Sequence, residues 1–144
     1  MVQIQRLGPD TTVDLFRDVA EDVFDGEIDQ LRLATCLAAP GTLMLVAMVG
    51  DRIVGQVAGY VHHHPDQASE LYIDNLGVTP SMRRRGIAGR LLNEVQAWAR
   101  ELGCQQAWVV TQTDNVAARA TYTSRGGLEE PVMMFSSAFK QAED

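Results

Sequence analysis

Residues Leu76 to Leu92 constrain the chain more than any other stretch. They read Leu-Gly-Val-Thr-Pro-Ser-Met-Arg-Arg-Arg-Gly-Ile-Ala-Gly-Arg-Leu-Leu: the end of a strand, a basic turn and the first half of a helix. The apolar rhythm of Ile87, Leu91, Val95, Trp98 and Leu102 predicts an amphipathic helix starting near Arg85. The first turn of a helix leaves backbone N–H groups without intrahelical partners at the positive end of the dipole, so it attracts phosphate oxygens. The small residues Gly86, Ala88 and Gly89 let a ligand approach that backbone. Together with Arg83, Arg84 and Arg85 the stretch suits a pyrophosphate, although a solvated basic turn would use the same residues. Neither Gly-x-x-x-x-Gly-Lys-Ser/Thr nor Gly-x-Gly-x-x-Gly is present, which excludes the commonest nucleotide loops.

Around this centre the chain alternates strands and helices. Val2 to Leu7 reads as a first strand, Val13 to Phe24 as a helix and Glu27 to Ala38 as a second, stopped by Pro40-Gly41. Thr42 to Val49 and Arg52 to Val61 form a hairpin about Gly50-Asp51. Glu70 to Val78 is the next strand; strict alternation puts Glu70, Tyr72, Asp74, Leu76 and Val78 on one face. Gly77 within it signals a bulge or a close backbone approach. After the central helix, Gly103 is a natural stop, and Gln106 to Thr111 is a strand running parallel to Glu70–Val78, because a helix crosses over between them. A last helix over Val116 to Arg125 and a final strand over Leu128 to Phe135 complete the pattern.

That last helix carries Asn115, Ala118, Tyr122 and Gly126, spaced Asn-x-x-Ala-x-x-x-Tyr-x-x-x-Gly. Asn115 is placed to cap it, and Tyr122 lies about two turns further along nearly the same face. Arg-x-x-Gly-x-Ala from Arg83 to Ala88, followed by this second pattern, resembles the GNAT superfamily of N-acetyltransferases over nearly the whole chain. The stretch from about Pro40 to Phe135 is further similar to the small aminoglycoside 3-N-acetyltransferases, through Glu70-Leu-Tyr-Ile, Ala117 to Thr123, and Glu129-Glu130 before Val132-Met133 and Phe135. Gly127, Pro131 and Ser136-Ser137 depart from those patterns.

The resemblance implies an α/β (α+β) GNAT fold in one domain over residues 1–144, with a mixed sheet of six to seven strands, about four helices and a splayed acetyl-CoA cleft. It implies that coenzyme A is held by Leu76, Gly77, Val78, Arg83, Arg84, Arg85, Gly86, Ile87, Ala88, Gly89, Asn115, Ala118 and Tyr122. The Val78 N–H would polarise the acetyl carbonyl and Tyr122 would protonate the departing thiolate. A carboxylate must relieve the ammonium of its proton before the amine can attack. Asp74 is the first candidate and Glu70 the second, with Tyr72, Asn75, Asp114, Glu129 and Glu130 as further contacts for a cationic acceptor. The expected reaction is acetyl transfer to a primary amine of an aminoglycoside, at the 3-amino group. Another small amine, polyamine or peptide amine, and a non-catalytic CoA-binding module, are the rival readings.

Composition narrows the partners. With 144 residues, 46% of them hydrophobic, there is material for one core. A net charge of −7 disfavours nucleic acid and favours cationic ligands. Residues 1 to 30 show no secretory signal and no apolar run reaches the length of a membrane span, so a cytoplasmic protein is expected. Cys36 and Cys104 read as small hydrophobes. Three adjacent histidines, His62 to His64, do not easily aim at one ion, and no metal is expected. GNAT proteins are often dimers, which makes a homodimer the expected assembly.

Overall fold

The computed structural model describes residues 1–140. The chain divides into two compact units, Met1–Val110 and a second beginning at Thr111.

The first unit is a five-stranded sheet in sequence order: β1 (Val2–Arg6), β2 (Thr42–Val49), β3 (Arg52–His62), β4 (Glu70–Val78) and β5 (Gln106–Val109). β1 to β4 pair antiparallel and β5 joins β4 in parallel. The parallel pair follows from the crossover through α2 (Ile87–Glu101), as its position between two strands requires. The sheet has five strands among the described residues, fewer than the six to seven expected.

Each face of the sheet is covered by a different part of the chain. α2 buries Ile87, Leu91, Leu92, Val95 and Ala99 against β2, β3 and β4. Each of the Ile, Leu and Val side chains among them is worth about 1.5–3 kcal/mol when removed from water. On the opposite face Leu7, Phe16, Ala20, Val23, Leu33 and Leu37 pack on Met44, Val46, Met48, Ile53 and Ala58. Leu33 and Leu37 come from α1 (Gln30–Ala38), which starts where the Asp29 side chain accepts from the Arg32 N–H at 2.9 Å.

The helix expected over Val13 to Phe24 is only a 3-10 turn at Val13–Phe16. Its continuation is drawn to the sheet instead: Ala20 N–H donates to the Ile53 carbonyl and Ile53 N–H to that of Asp18, which forms a parallel bridge between Val19 and Ile53. A backbone engaged with a strand in this way cannot make i to i−4 bonds. The second predicted helix forms from Gln30 rather than Glu27.

The second unit contains α3 (Val116–Ser124), ended by a turn through Gly126 at φ +86°. The strand expected over Leu128 to Phe135 is absent, and residues 128–140 have no regular structure. Its apolar run supplied the strand signal, but a strand also needs a partner and Pro131 removes one donor. The described residues thus hold three α-helices rather than about four.

Candidate active site

The two edges of β4 are paired differently. Toward β3 it is paired from Glu70 to Val78 with one slip: Ile73 faces Gly59 and Asn75 faces Ala58, so Asp74 is the extra residue. Of the two readings of Gly77, a bulge or a close backbone approach, the bulge lies instead at Asp74. Gly77 marks the close approach, since a Cβ there would collide with the Val23 carbonyl oxygen. Toward β5, pairing runs only from Glu70 to Ile73, and from Asp74 onward no strand among the described residues pairs with that edge. Thr79 N–H donates to the Val54 carbonyl at 2.9 Å, on the β3 side. Alternation along the strand then turns the N–H groups of Val78 and Leu76 toward the open edge.

The bulge also redistributes the faces. A Cβ on Gly55 would touch Ile87 and Leu91 of α2, so Gln56, Ala58 and Tyr60 face away from that helix. Their register partners Gly77, Asn75 and Tyr72 share that face, whereas Leu76 and Val78 turn toward α2. Strict alternation had grouped Leu76 and Val78 with Glu70 and Tyr72; one inserted residue reverses that. Asp74 is exposed, and its carboxylate acts on two neighbours. Burial raises the pKa values of Cys36 on α1 and Tyr60 on β3, and the charge of Asp74 raises both further. Asp74 therefore serves the face that α1 borders.

Gln56 was not foreseen. It is fully buried, and its amide Nε2 donates to the Val23 carbonyl at 3.1 Å and to Asn75 Oδ1 at 2.9 Å, tying the segment before α1 to the bulge. Its Oε1 has no hydrogen-bond partner. The available signal was a single amide within the apolar and small-residue run Ile53 to Gly59. Glu70, two register positions beyond Tyr72, sits 3.4 Å from His64 Nε2, while the rings of His62 and His64 lie tilted to each other with centroids 4.2 Å apart. His64 Nε2 makes no aligned hydrogen bond, so the contact with Glu70 is an electrostatic one that requires a protonated imidazole.

Beyond β4, a 3-10 turn at Pro80–Met82 leads into the arginines. Arg83 Nε donates to the Val78 carbonyl at 3.0 Å and so anchors the turn on the strand end. Arg84 and Gly86 are both left-handed, at φ +63° and +78°. Left-handed residues so close together turn successive backbone amides into one concavity, an arrangement that binds anions. Gly86 is the N-cap of α2, so no side chain caps its first turn, and a Cβ there would meet nothing within 4 Å. Open space, uncapped N–H groups and exposed Arg84 and Arg85 make this turn a candidate site for an anion such as a pyrophosphate. Ile87 is buried, while Ala88 and Gly89 are half-buried in the same first turn. A hollow of about 780 Å3 at the hairpin end reaches this turn through Ser81 and Arg85; none of Tyr60, Tyr72 and Asp74 lines it.

In the second unit Asn115 caps α3, its Oδ1 accepting from the half-buried Ala118 N–H at 3.1 Å. Tyr122 is half-buried, and burial raises the pKa of its phenol. Gly127 N–H donates to the Tyr122 carbonyl at 2.9 Å, and a Cβ on Gly127 would fall 2.9 Å from that oxygen, which accounts for a glycine at this departure from the family pattern. Glu129 is already paired with Arg119, Nε to Oε1 at 2.7 Å. Glu130 and Asp114 are exposed.

Residues 10–127 match the family model described as Acetyltransferase (GNAT) family. An aminoglycoside N(6')-acetyltransferase type 1 of Salmonella typhimurium is 24% identical over 132 residues, covering 87% of this chain and 91% of that protein. A probable N-acetyltransferase of Arabidopsis thaliana is 28% identical over 86% of this chain; the match spans only 34% of that protein. Among solved structures, an aminoglycoside acetyltransferase from an uncultured soil metagenomic sample, in complex with sisomicin, is similar in fold with a TM-score of 0.83. It is 23% identical, with 96% of this chain and 97% of that chain covered.

Proposed function

The chain belongs to the GNAT acetyltransferase family, whose members use acetyl-CoA, and from that membership we propose that it acetylates a primary amine of an aminoglycoside. The observation that carries this reading is the open edge of β4. It begins at the Asp74 bulge and leads to an arginine turn fitted for pyrophosphate. The 3-amino position finds no support. The aminoglycoside relative from Salmonella is of the 6' type, and the proposal moves to the 6'-amino group.

Arg84, Arg85 and the backbone from Gly86 to Gly89 would hold the pyrophosphate, with Arg83 keeping the turn on the strand end. Leu76, Gly77, Val78, Asn115 and Ala118 would hold the pantetheine chain. Bound acetyl-CoA supplies an activated thioester whose carbonyl carbon is the electrophile. The Val78 N–H donates to the oxygen on which negative charge develops, a contribution of about 3 kcal/mol in such sites. Asp74 accepts the proton that the acceptor ammonium must lose, with Glu70 the second candidate. Tyr122 gives a proton to the departing sulfur, and its raised pKa keeps the phenol protonated for that step. Asn75, Tyr72, Asp114 and Glu130 are the remaining acceptor contacts; Glu129 acts only if it exchanges Arg119 for substrate.

The family match runs through both units, which supports one domain over residues 1–144. No helix among the described residues is long and apolar enough to cross a membrane, and acetyl-CoA chemistry suits a cytoplasmic setting. Six large apolar side chains, Leu128, Val132, Met133, Met134, Phe135 and Phe139, are at least 66% exposed and support a homodimer.

The test is thiol release from acetyl-CoA with sisomicin, kanamycin, spermidine and a short peptide as acceptors. Turnover on the aminoglycosides, with the product acetylated at the 6' nitrogen by NMR, is expected. Turnover confined to spermidine or peptide removes the aminoglycoside assignment.

A further inference from the structure

Tyr60, Tyr72 and Trp108 are direct register partners on β3, β4 and β5. They therefore project side by side from the face opposite α2. Their ring centroids are 6.4 Å apart for Tyr60–Tyr72 and 4.4 Å for Tyr72–Trp108. Large aromatic side chains on a sheet face are ordinarily covered, yet Tyr60, on an inner strand, is 42% exposed and Trp108, on β5 at the edge of the described sheet, is 38% exposed. The apolar packing contributed by α1 and the N-terminal segment reaches Ala58, the position before this row on the same face, and Tyr60 and Trp108 lie outside that cluster.

The row is flanked by acid on both sides along β4. Two residues toward the arginine turn lies Asp74, whose charge reaches the Tyr60 phenol; two residues the other way is Glu70, beside His64. The strip spans two strand spacings, roughly 10 Å, and the carboxylate-bearing residues stand about 13 Å apart along the strand. A chain of net charge −7 thus presents an exposed apolar strip between two carboxylates.

We propose that Tyr60, Tyr72 and Trp108 form a seat for the acceptor that selects amines built of linked rings over linear polyamines. The inference rests on the acetyltransferase reading and names the feature by which that site would choose its substrate. A saturated six-membered ring carrying ammonium groups has apolar C–H surface for the aromatic strip and charges at its rim for Asp74 and Glu70. It is rigid, so little conformational freedom is lost on seating. A linear polyamine has the charges without the ring surface, and it must freeze many bonds. Two linked rings match the length of the strip.

Binding can be read without turnover, so failure of this inference is separable from failure of the enzymatic one. The chain has two tryptophans; Trp98 lies on α2 with the Arg6 guanidinium 5.2 Å over its ring, remote in register from the strip. Titration with sisomicin should change tryptophan emission saturably, spermidine should leave it nearly unchanged, and the Trp108→Phe variant should lose the response. In steady-state assays Trp108→Leu and Tyr72→Leu should lower the ratio of kcat/KM for sisomicin over spermidine at least tenfold, with CoA affinity retained as the folding control. Equal losses for the ring and linear amines would overturn the proposal, as would an unperturbed Trp108. A change in molecular mass on Trp108→Leu, without a change in sisomicin affinity, would assign the strip to contact between copies and overturn it too.

Discussion

Gly77 and Tyr122 show how much rests on single side chains. At Gly77 the obstacle to a side chain is backbone, the Val23 carbonyl that a Cβ would strike, and backbone cannot rotate aside as a side chain can. Gly77→Ala must push the Val23 segment off β4, disturbing the acceptor that Gln56 uses. A loss of roughly 3 kcal/mol is expected, read as a lower urea midpoint with unchanged slope. Tyr122 carries a different expectation. Its phenol is held protonated by burial, so stability due to the neutral form is complete below the ordinary tyrosine pKa and declines only as pH rises through the raised value. Tyr122→Phe should therefore leave neutral-pH stability and CoA affinity nearly unchanged while turnover drops at least tenfold; an unchanged rate removes Tyr122 from the mechanism.

β4 and α2 are the elements on which the site depends. β4 was legible in full, Glu70 to Val78, because its length, its flanking loops and its β-prone residues agree. Its face assignment was not, because a bulge depends on how the neighbouring strand is paired. Residue pattern alone allowed a bulge or a close approach at Gly77; the close approach is there, but the inserted residue is Asp74. α2 was equally legible through its 3.6-residue apolar stripe, yet its tether to β1 was invisible. Arg6 bonds Glu101 at 2.7 Å and approaches Glu94 at 3.5 Å, 95 and 88 residues away in sequence. The hydrogen bond from Arg6, followed by its charge, lowers the Glu101 pKa. Stability from that pair is present above the ordinary glutamate pKa and is lost as pH falls through the lowered folded value. Glu101→Gln should accordingly flatten the acid limb of a stability–pH curve measured by urea unfolding, and high salt should mimic part of the effect.

For the whole molecule the decisive surface is the apolar run after α3. Leu128, Val132, Met133, Met134, Phe135 and Phe139 are each at least 66% exposed, and covering such apolar side chains is what an interface, which takes ~800 Å2 from each partner, would do. Light scattering should return twice the chain mass; a monomer at micromolar concentration would remove the homodimer. Sequence by itself determined what repeats locally: the strand, basic turn and helix from Glu70 to Glu101, the hairpin, the Asn115 cap and the two motifs of the family. These follow from side-chain period and backbone preference, which act over a few residues. Only the tertiary structure decided which edge of β4 stays open, where the bulge falls, that residues 18–20 pair with β3 instead of continuing a helix, and that Gln56, Tyr60 and Trp108 share a face with Asp74. Those outcomes depend on hydrogen bonds and register between segments tens of residues apart, and no local pattern encodes such a partner.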